Sequence, residues 1–189
     1  LESICRIGQR LRNAGQSSYI ALLNKVVGEE LELPLTHLNG DHMPKIEEAK
    51  NLLNLAGLPP AQRNELAALT LLAVANLTEG DPWRSAQQRS IRIHDMIAFI
   101  EKNFRKHYAE NTRETFRRQV LHQFEQAGIV DRNPEDLSLP TNSPRTHYAL
   151  SEAFLPVVQN YGTKTGERLL KKFIGEQGAL VEVYQQRRS

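Results

Sequence analysis

The stretch LAALTLLAVANL, residues 66–77, constrains the fold more than any other part of this chain. At about 100° per residue its apolar side chains spread over nearly every face of a helix, so no face is left for water. It is too short to cross a bilayer, which takes about 20 residues, and no longer apolar window exists elsewhere. The expectation is a central helix enclosed by other helices, in a protein with no membrane partner.

Its neighbours in sequence supply the enclosure. Ile46, Ala49, Leu52, Leu53 and Ala56 form one apolar stripe, and Gly57 stops that helix. Pro59-Pro60 is expected to launch the central helix. GDPW (80–83) reads as a turn that folds Trp83 back on the core. Residues 91–107 predict a third helix with Ile93, Met96, Ile97, Ile100 and Phe104 inward. Before these, residues 1–28 suggest two short helices broken near Asn13-Ala14-Gly15. Residues 28–44 read as a connector, with Gly28, Pro34, Asn39-Gly40 and Pro44 as breakers.

The next helix is NTRETFRRQVLHQFEQAGIV (111–130). Asn111 is a candidate cap, with Glu114 placed to reach back to the cap backbone. Counting from Thr112, Phe116, Val120, Phe124 and Ala127 fall between about 40° and 120° around the helix and define a buried stripe. Arg113 falls on that same side, and Leu121 on a shoulder. Asn111, Thr115, Arg118 and His122 fall between about 240° and 300°, on the opposite side, flanked by Arg117 and Gln119.

After it, GIVDR following Gly128 and THYALS (146–151) predict two short strands. In the second, His147 and Ala149 alternate against Tyr148 and Leu150. DRNPEDLSLPTNSPR, rich in turn-forming residues, is the long loop between them. Residues 151–161 and 165–187 predict two further helices. The expected fold is mainly α with a small β-hairpin, in the order of a winged helix-turn-helix with flanking N- and C-terminal helices. The corresponding organisation is a helical extension of unknown role (1–44), a DNA-binding domain (45–150) and C-terminal helices (151–189).

Whole-chain charge is only +2 at neutral pH, so its distribution has to carry any argument about partners. From Lys102 to Gln119 there are six basic residues and two acidic ones, six less two giving +4 in 18 residues. Arg pairs with guanine O6 and N7, Asn and Gln with adenine, and Thr with a thymine methyl or a phosphate. On the outward stripe, Thr115, Arg118 and His122 are the candidates for base contact. Arg117 and Lys106 are candidates for the phosphate backbone, which supplies most of the nonspecific affinity. A solvated face with (i, i+4) pairs such as Glu114–Arg118 accounts for the same residues without any nucleic acid. A stand-alone winged-helix transcription regulator, or a helical protein-interaction module, is therefore an alternative at this point.

These strings also resemble a known family. NTRETFRRQVLHQFEQAGIVDRNP with PTNSPRTHYAL, IEEAKNLLNLAGLPPAQRNELAALTLLAVANL and HDMIAFIEKNFRKHYAENTRETFRRQ are similar to the N-terminal domain of the PstI/BsuBI type II restriction endonucleases. The likeness runs from about Ile46 to Arg188, and residues 1–42 have no counterpart in it. It implies a winged-helix unit that recognises double-stranded DNA in a bacterial restriction-modification system. It further implies a nuclease half beyond this chain of the PD-(D/E)xK type, dependent on Mg²⁺. A palindromic site would make the parent protein a homodimer. By that likeness Asn111, Arg113, Thr115, Arg117, Arg118, Gln119 and His122 match recognition-helix positions, and Asn142, Ser143 and Arg145 match the wing loop. Asn142 and Arg145 join Arg117 as backbone candidates.

Within the chain itself no catalytic set stands out, and no cofactor is expected in it. Asp41…Glu48-Ala49-Lys50 has the residue types of a nuclease metal site, but Glu48 and Lys50 sit in a helical pattern rather than on a buried strand. The six histidines (37, 42, 94, 107, 122, 147) show no two-ligand spacing, and there is no GxxxxGK loop. Cys5 is the only cysteine. That excludes a disulfide framework and fits a cytoplasmic setting.

Overall fold

The computed structural model of the chain describes residues 43–136, 138–140, 143 and 145–177, all within a unit that spans residues 39–189. It is mainly helical with one two-stranded antiparallel sheet. The helices suggested for residues 1–28 and the connector up to His42 lie outside the described residues.

Helix α1 (Lys45–Leu55) and helix α2 (Glu65–Ala75) form the first packed pair. Every residue of α2 from Ala67 to Ala75 is buried, as a helix that is apolar all round requires. Thr70, the one hydroxyl among them, donates to the carbonyl of Leu66 at 2.7 Å and so leaves no orphaned polar atom. The prolines do not start α2. Pro60–Gln62 is a separate 3₁₀ turn, and Asn64 caps α2 by accepting from the Ala67 amide at 2.9 Å. A cap needs an extended residue with a short oxygen-bearing side chain, and Asn64 supplies both.

Trp83 does fold back on the core. It is 8% exposed and lies 4.8 Å from the ring of Tyr161. Its indole N–H donates to Glu48 at 2.8 Å, and the buried Lys45 ammonium sits over its face at 4.9 Å while bonding Glu48 at 3.0 Å. Glu48 is thus a structural partner, and Lys50 pairs with Glu47 at 2.6 Å. Asp41, the other acidic residue of the candidate metal-site string, lies outside the described residues; none of the described helices is long and apolar enough to cross a membrane.

Helix α3 spans Ile93–Phe104, shorter than the predicted 91–107. Ile91 is extended instead and bridges Tyr148, and the helix ends on Arg105 in a left-handed conformation, φ 56°. A 3₁₀ turn, Glu110–Thr112, then leads into a continuous helix over 113–126. Its parts are α4 (Arg113–Thr115), a π-turn (Phe116–Leu121) and α5 (His122–Gln126).

The π-turn changes the wheel. Hydrogen bonds from i to i+5 turn the chain through less than the α-helical ~100° per residue, which rotates Leu121 from the shoulder into the core. Leu121 is fully buried beside Phe116, Val120, Phe124 and Ala127. Arg113 departs in the other direction. It is exposed, because a first-turn side chain leans toward the N-terminus and leaves the core behind. The expected capping box is absent too. Thr112 is already helical, so no extended residue precedes the helix, and Glu114 turns toward Arg117 and Arg118 instead.

Helices α1, α2 and 113–126 end alike. The amides of Leu58, Leu77 and Ile129 bond the carbonyls five residues back, across a left-handed Gly57, Asn76 and Gly128. The last of these stops aims the chain into strand β1 (Val130–Arg132), which pairs with β2 (Tyr148–Leu150) in the register Val130↔Leu150, Asp131↔Ala149 and Arg132↔Tyr148. Ser151 ties the hairpin base to the helix end, donating its hydroxyl to the Gly128 carbonyl at 2.6 Å. The predicted alternation along β2 fails, since Tyr148, Ala149 and Leu150 are all buried. With Ile91 along its other edge, β2 is an interior strand rather than an edge strand with a wet face. Helix α6 (Leu155–Gln159) begins later than expected, and helix α7 spans Lys164–Gln177. Phe154, Val157, Val158 and Phe173 join the same core.

Candidate nucleic-acid interface

An open depression of about 400 Å³ lies between helix 113–126 and the hairpin. Arg117, Arg118 and His122 line it from the helix, with Glu125 beside them. Arg132 and Tyr148 line it from the hairpin. The depression exists because Phe116, Val120, Leu121 and Phe124 hold the opposite side of the helix in the core. Gly128 and Ser151 fix the hairpin a few residues away.

Of the predicted site residues the depression gathers Arg117, Arg118 and His122. Arg118 is more open than Arg117, with 74% of its side chain exposed against 33%. His122 is exposed and bonds Gln126 through Nε2 at 2.9 Å. Gln119 is exposed on the same helix and Asn111 on the 3₁₀ turn before it, and Thr115 is half-buried. Arg113 lies 3.0 Å from Nδ1 of His94 and links the 113–126 helix to the first turn of α3. Lys106 stands apart, paired with Glu65 at 3.0 Å at the start of α2.

In the long loop, Asn142 lies outside the described residues. Ser143 accepts the Arg145 amide at 3.2 Å, and Arg145 itself is exposed. The loop is anchored at Asn133, a buried residue at φ 47° whose side-chain oxygen accepts the His147 amide at 2.9 Å. An Asn tolerates that conformation better than most residues, and its amide is what closes the loop.

The electrostatics are those of restrained arginines. Glu114 bonds Arg117 through Nη2 at 2.7 Å and Nε at 3.0 Å, and also bonds Nε of Arg118. These hydrogen bonds, Arg117's foremost, hold the Glu114 carboxyl below the usual carboxylate range. Across the depression Arg132 faces Glu125 at 3.3 Å. Burial pushes the Tyr148 phenol upward, so it stays protonated.

Arg132, Glu125 and Tyr148 are the residues that sequence reasoning did not assign to the site. A signal for Arg132 was present. In a strand, i and i+2 share a face, so Arg132 follows Val130 toward the helix. What the string GIVDR lacks is any sign of which element that face meets.

A mainly helical domain presenting an arginine-bearing helix beside a short hairpin is the class these features define. Comparison with known proteins gives the family: the chain belongs to the BsuBI/PstI restriction endonucleases, with residues 43–182 matching the model described as the BsuBI/PstI restriction endonuclease HTH domain. It is 38% identical over 143 residues to the type II restriction enzyme BsuBI of Bacillus subtilis, covering 76% of this chain and 45% of that protein. It is 26% identical over 141 residues to the type II restriction enzyme AplI of Arthrospira platensis, covering 75% of this chain and 43% of that protein. Among solved structures the SdaI restriction endonuclease superposes with a TM-score of 0.67 at 31% identity, covering 69% of this chain and 41% of that one. The chain thus spans less than half the length of these relatives.

Proposed function

We propose that this chain recognises double-stranded DNA by sequence, as the specificity-determining part of a type II restriction endonuclease. Helix 113–126 enters the major groove with Arg118, His122 and Thr115 toward the bases, and Arg117 and Arg132 toward the phosphates. The loop 133–147 is the wing and lies along the backbone, with Arg145 on it. The winged helix-turn-helix reading is supported by the order of elements: extended Ile91, α3, helix 113–126, β1, loop, β2, with Ile91 and β1 on either side of β2. Cleavage, its Mg²⁺ and the homodimer that a palindromic site demands belong to the whole protein in this reading.

The observation that carries it is the depression with Arg117, Arg118 and His122 on one wall and Arg132 on the other, on the helix face opposite the buried phenylalanines. Its test is selection from a random duplex pool followed by salt titration of the recovered sequence. The expected result is one enriched half-site motif and an affinity that falls steeply with salt. A pool that stays random after repeated rounds, with binding insensitive to salt, would overturn the reading.

A further inference from the structure

Glu114 is a puzzle for a surface that meets DNA. A carboxylate near the phosphate backbone repels it, and here one stands in the first turn of the helix that lines the depression. Yet Glu114 is not among the residues lining that depression, while both of its partners are. Its two oxygens are shared among three N–H groups: Nε and Nη2 of Arg117, and Nε of Arg118.

The donors left over are informative. A guanidinium has five N–H groups in a rigid planar fork. Arg118 gives Glu114 only its Nε–H, which leaves both terminal nitrogens, the pair able to meet guanine O6 and N7 end-on. Arg117 gives up its whole Nε/Nη2 edge and keeps Nη1 and one Nη2 hydrogen. The carboxylate therefore fixes the plane of the Arg117 guanidinium, tethers Arg118 at Nε while leaving it a bidentate reading edge, and cancels one unit of their joint charge. A mobile arginine pair would grip any duplex, whereas a held pair grips only where acceptors fall in the right places.

We propose that Glu114 is a positioning residue for sequence discrimination: it orients Arg117 and Arg118 and suppresses their indiscriminate attraction to phosphate. This rests on the DNA-recognition reading above. Glu125 differs, since it lines the depression itself and pairs there with Arg132.

The test compares the chain with its Glu114→Gln and Arg118→Ala variants. Each is titrated with the duplex recovered by selection on the unaltered chain and with a random duplex of equal length. Glu114→Gln keeps the shape of the side chain and removes its charge. Random-duplex binding should then tighten and its salt slope steepen by about 0.9, one phosphate's share. The preference for the selected duplex over the random one should fall about tenfold, within the range expected of one lost base-reading arginine. An unchanged preference overturns the proposal, whether both affinities stay put or fall together with a lower unfolding midpoint, since the latter marks a merely structural role. If the unaltered chain selects no sequence, the DNA-recognition reading itself fails. If it selects one and Arg118→Ala relaxes that choice while Glu114→Gln does not, only the role of Glu114 fails.

Discussion

Helix α2 and helix 113–126 are built from the same backbone material to opposite ends. Helix α2 is regular, capped by Asn64, stopped at Asn76 and buried on all sides from Ala67 to Ala75. Helix 113–126 starts without a cap from a 3₁₀ turn, is interrupted by a π-turn, and buries only one side. The first carries the stability of the domain, and the second spends its exposed half on arginines. An uncapped start and a π-turn set the second helix apart from the first, although both stop on the same kind of left-handed turn. Local irregularity of this kind gathers where function sits.

Two substitutions break the comparison most sharply. Leu72→Ala at the centre of α2 should cost about 2–5 kcal/mol of stability by urea denaturation, because a fully buried leucine leaves a cavity behind. A cost near that of a surface change would show that α2 is not the centre of the core. Arg118→Ala should leave stability within about 0.5 kcal/mol. It should instead remove about 1–3 kcal/mol of discrimination between the selected duplex and single-base variants of it. If both variants lose stability alike and discrimination alike, the division of labour between the two helices is wrong.

The ends of the helices sharpen the comparison. Asn64→Ala should cost about 1 kcal/mol, the worth of an N-cap whose oxygen holds the Ala67 amide. Thr112→Ala, at the start of helix 113–126, should change stability by less than about 0.5 kcal/mol, since that side chain caps nothing. Thermal melts of the two variants side by side decide it, and equal losses would mean that the second helix is capped after all.

The same contrast explains what was legible in the sequence. The apolar run 66–77, the stripe from Ala49 to Ala56, the stop at Gly57 and the turn carrying Trp83 are local signals with one physical outcome. The hairpin, too, followed from GIVDR, the polar loop and THYALS. The wheel placed Arg118 and His122 outward, because the buried phenylalanines leave no other choice. It failed where its constant angle failed: Leu121 turned inward at the π-turn, and Arg113 escaped at the helix start. Capping by Asn111 and Glu114 was a plausible pattern that lost to a stronger local competitor, the two arginines three and four residues on. Nothing local could reveal Ile91 beside Tyr148 or Arg132 beside Glu125. The first pairing joins elements far apart in sequence, and the second depends on how the turn at Gly128 lays β1 beside the helix.

The smallest expected effect separates two aspartates, one on α3 and one on the hairpin. Asp95 is bonded by Arg92 at 2.8 Å, and that hydrogen bond above all lowers its pKa from 3.8. Its contribution is present at neutral pH and is lost as pH falls below 3.8 through the folded-state value. Asp131, in the middle of β1, is shifted upward from 3.8, first by burial and then by repulsion from Glu152. An acid with a raised pKa favours the folded state fully below 3.8 and loses that advantage as pH rises through its folded-state value. Asp95→Asn should therefore destabilise the chain at pH 7, and Asp131→Asn should stabilise it. Each effect should stay under about 1 kcal/mol, because solvent screens both sites. Near pH 3 the Asp131 difference should have closed further than the Asp95 one, since the first aspartate protonates above 3.8 and the second only below it. Urea denaturation of the pair at the two pH values checks the signs. A loss of stability on replacing Asp131 at pH 7 would show that its charge is held by a partner in the hairpin rather than strained by it.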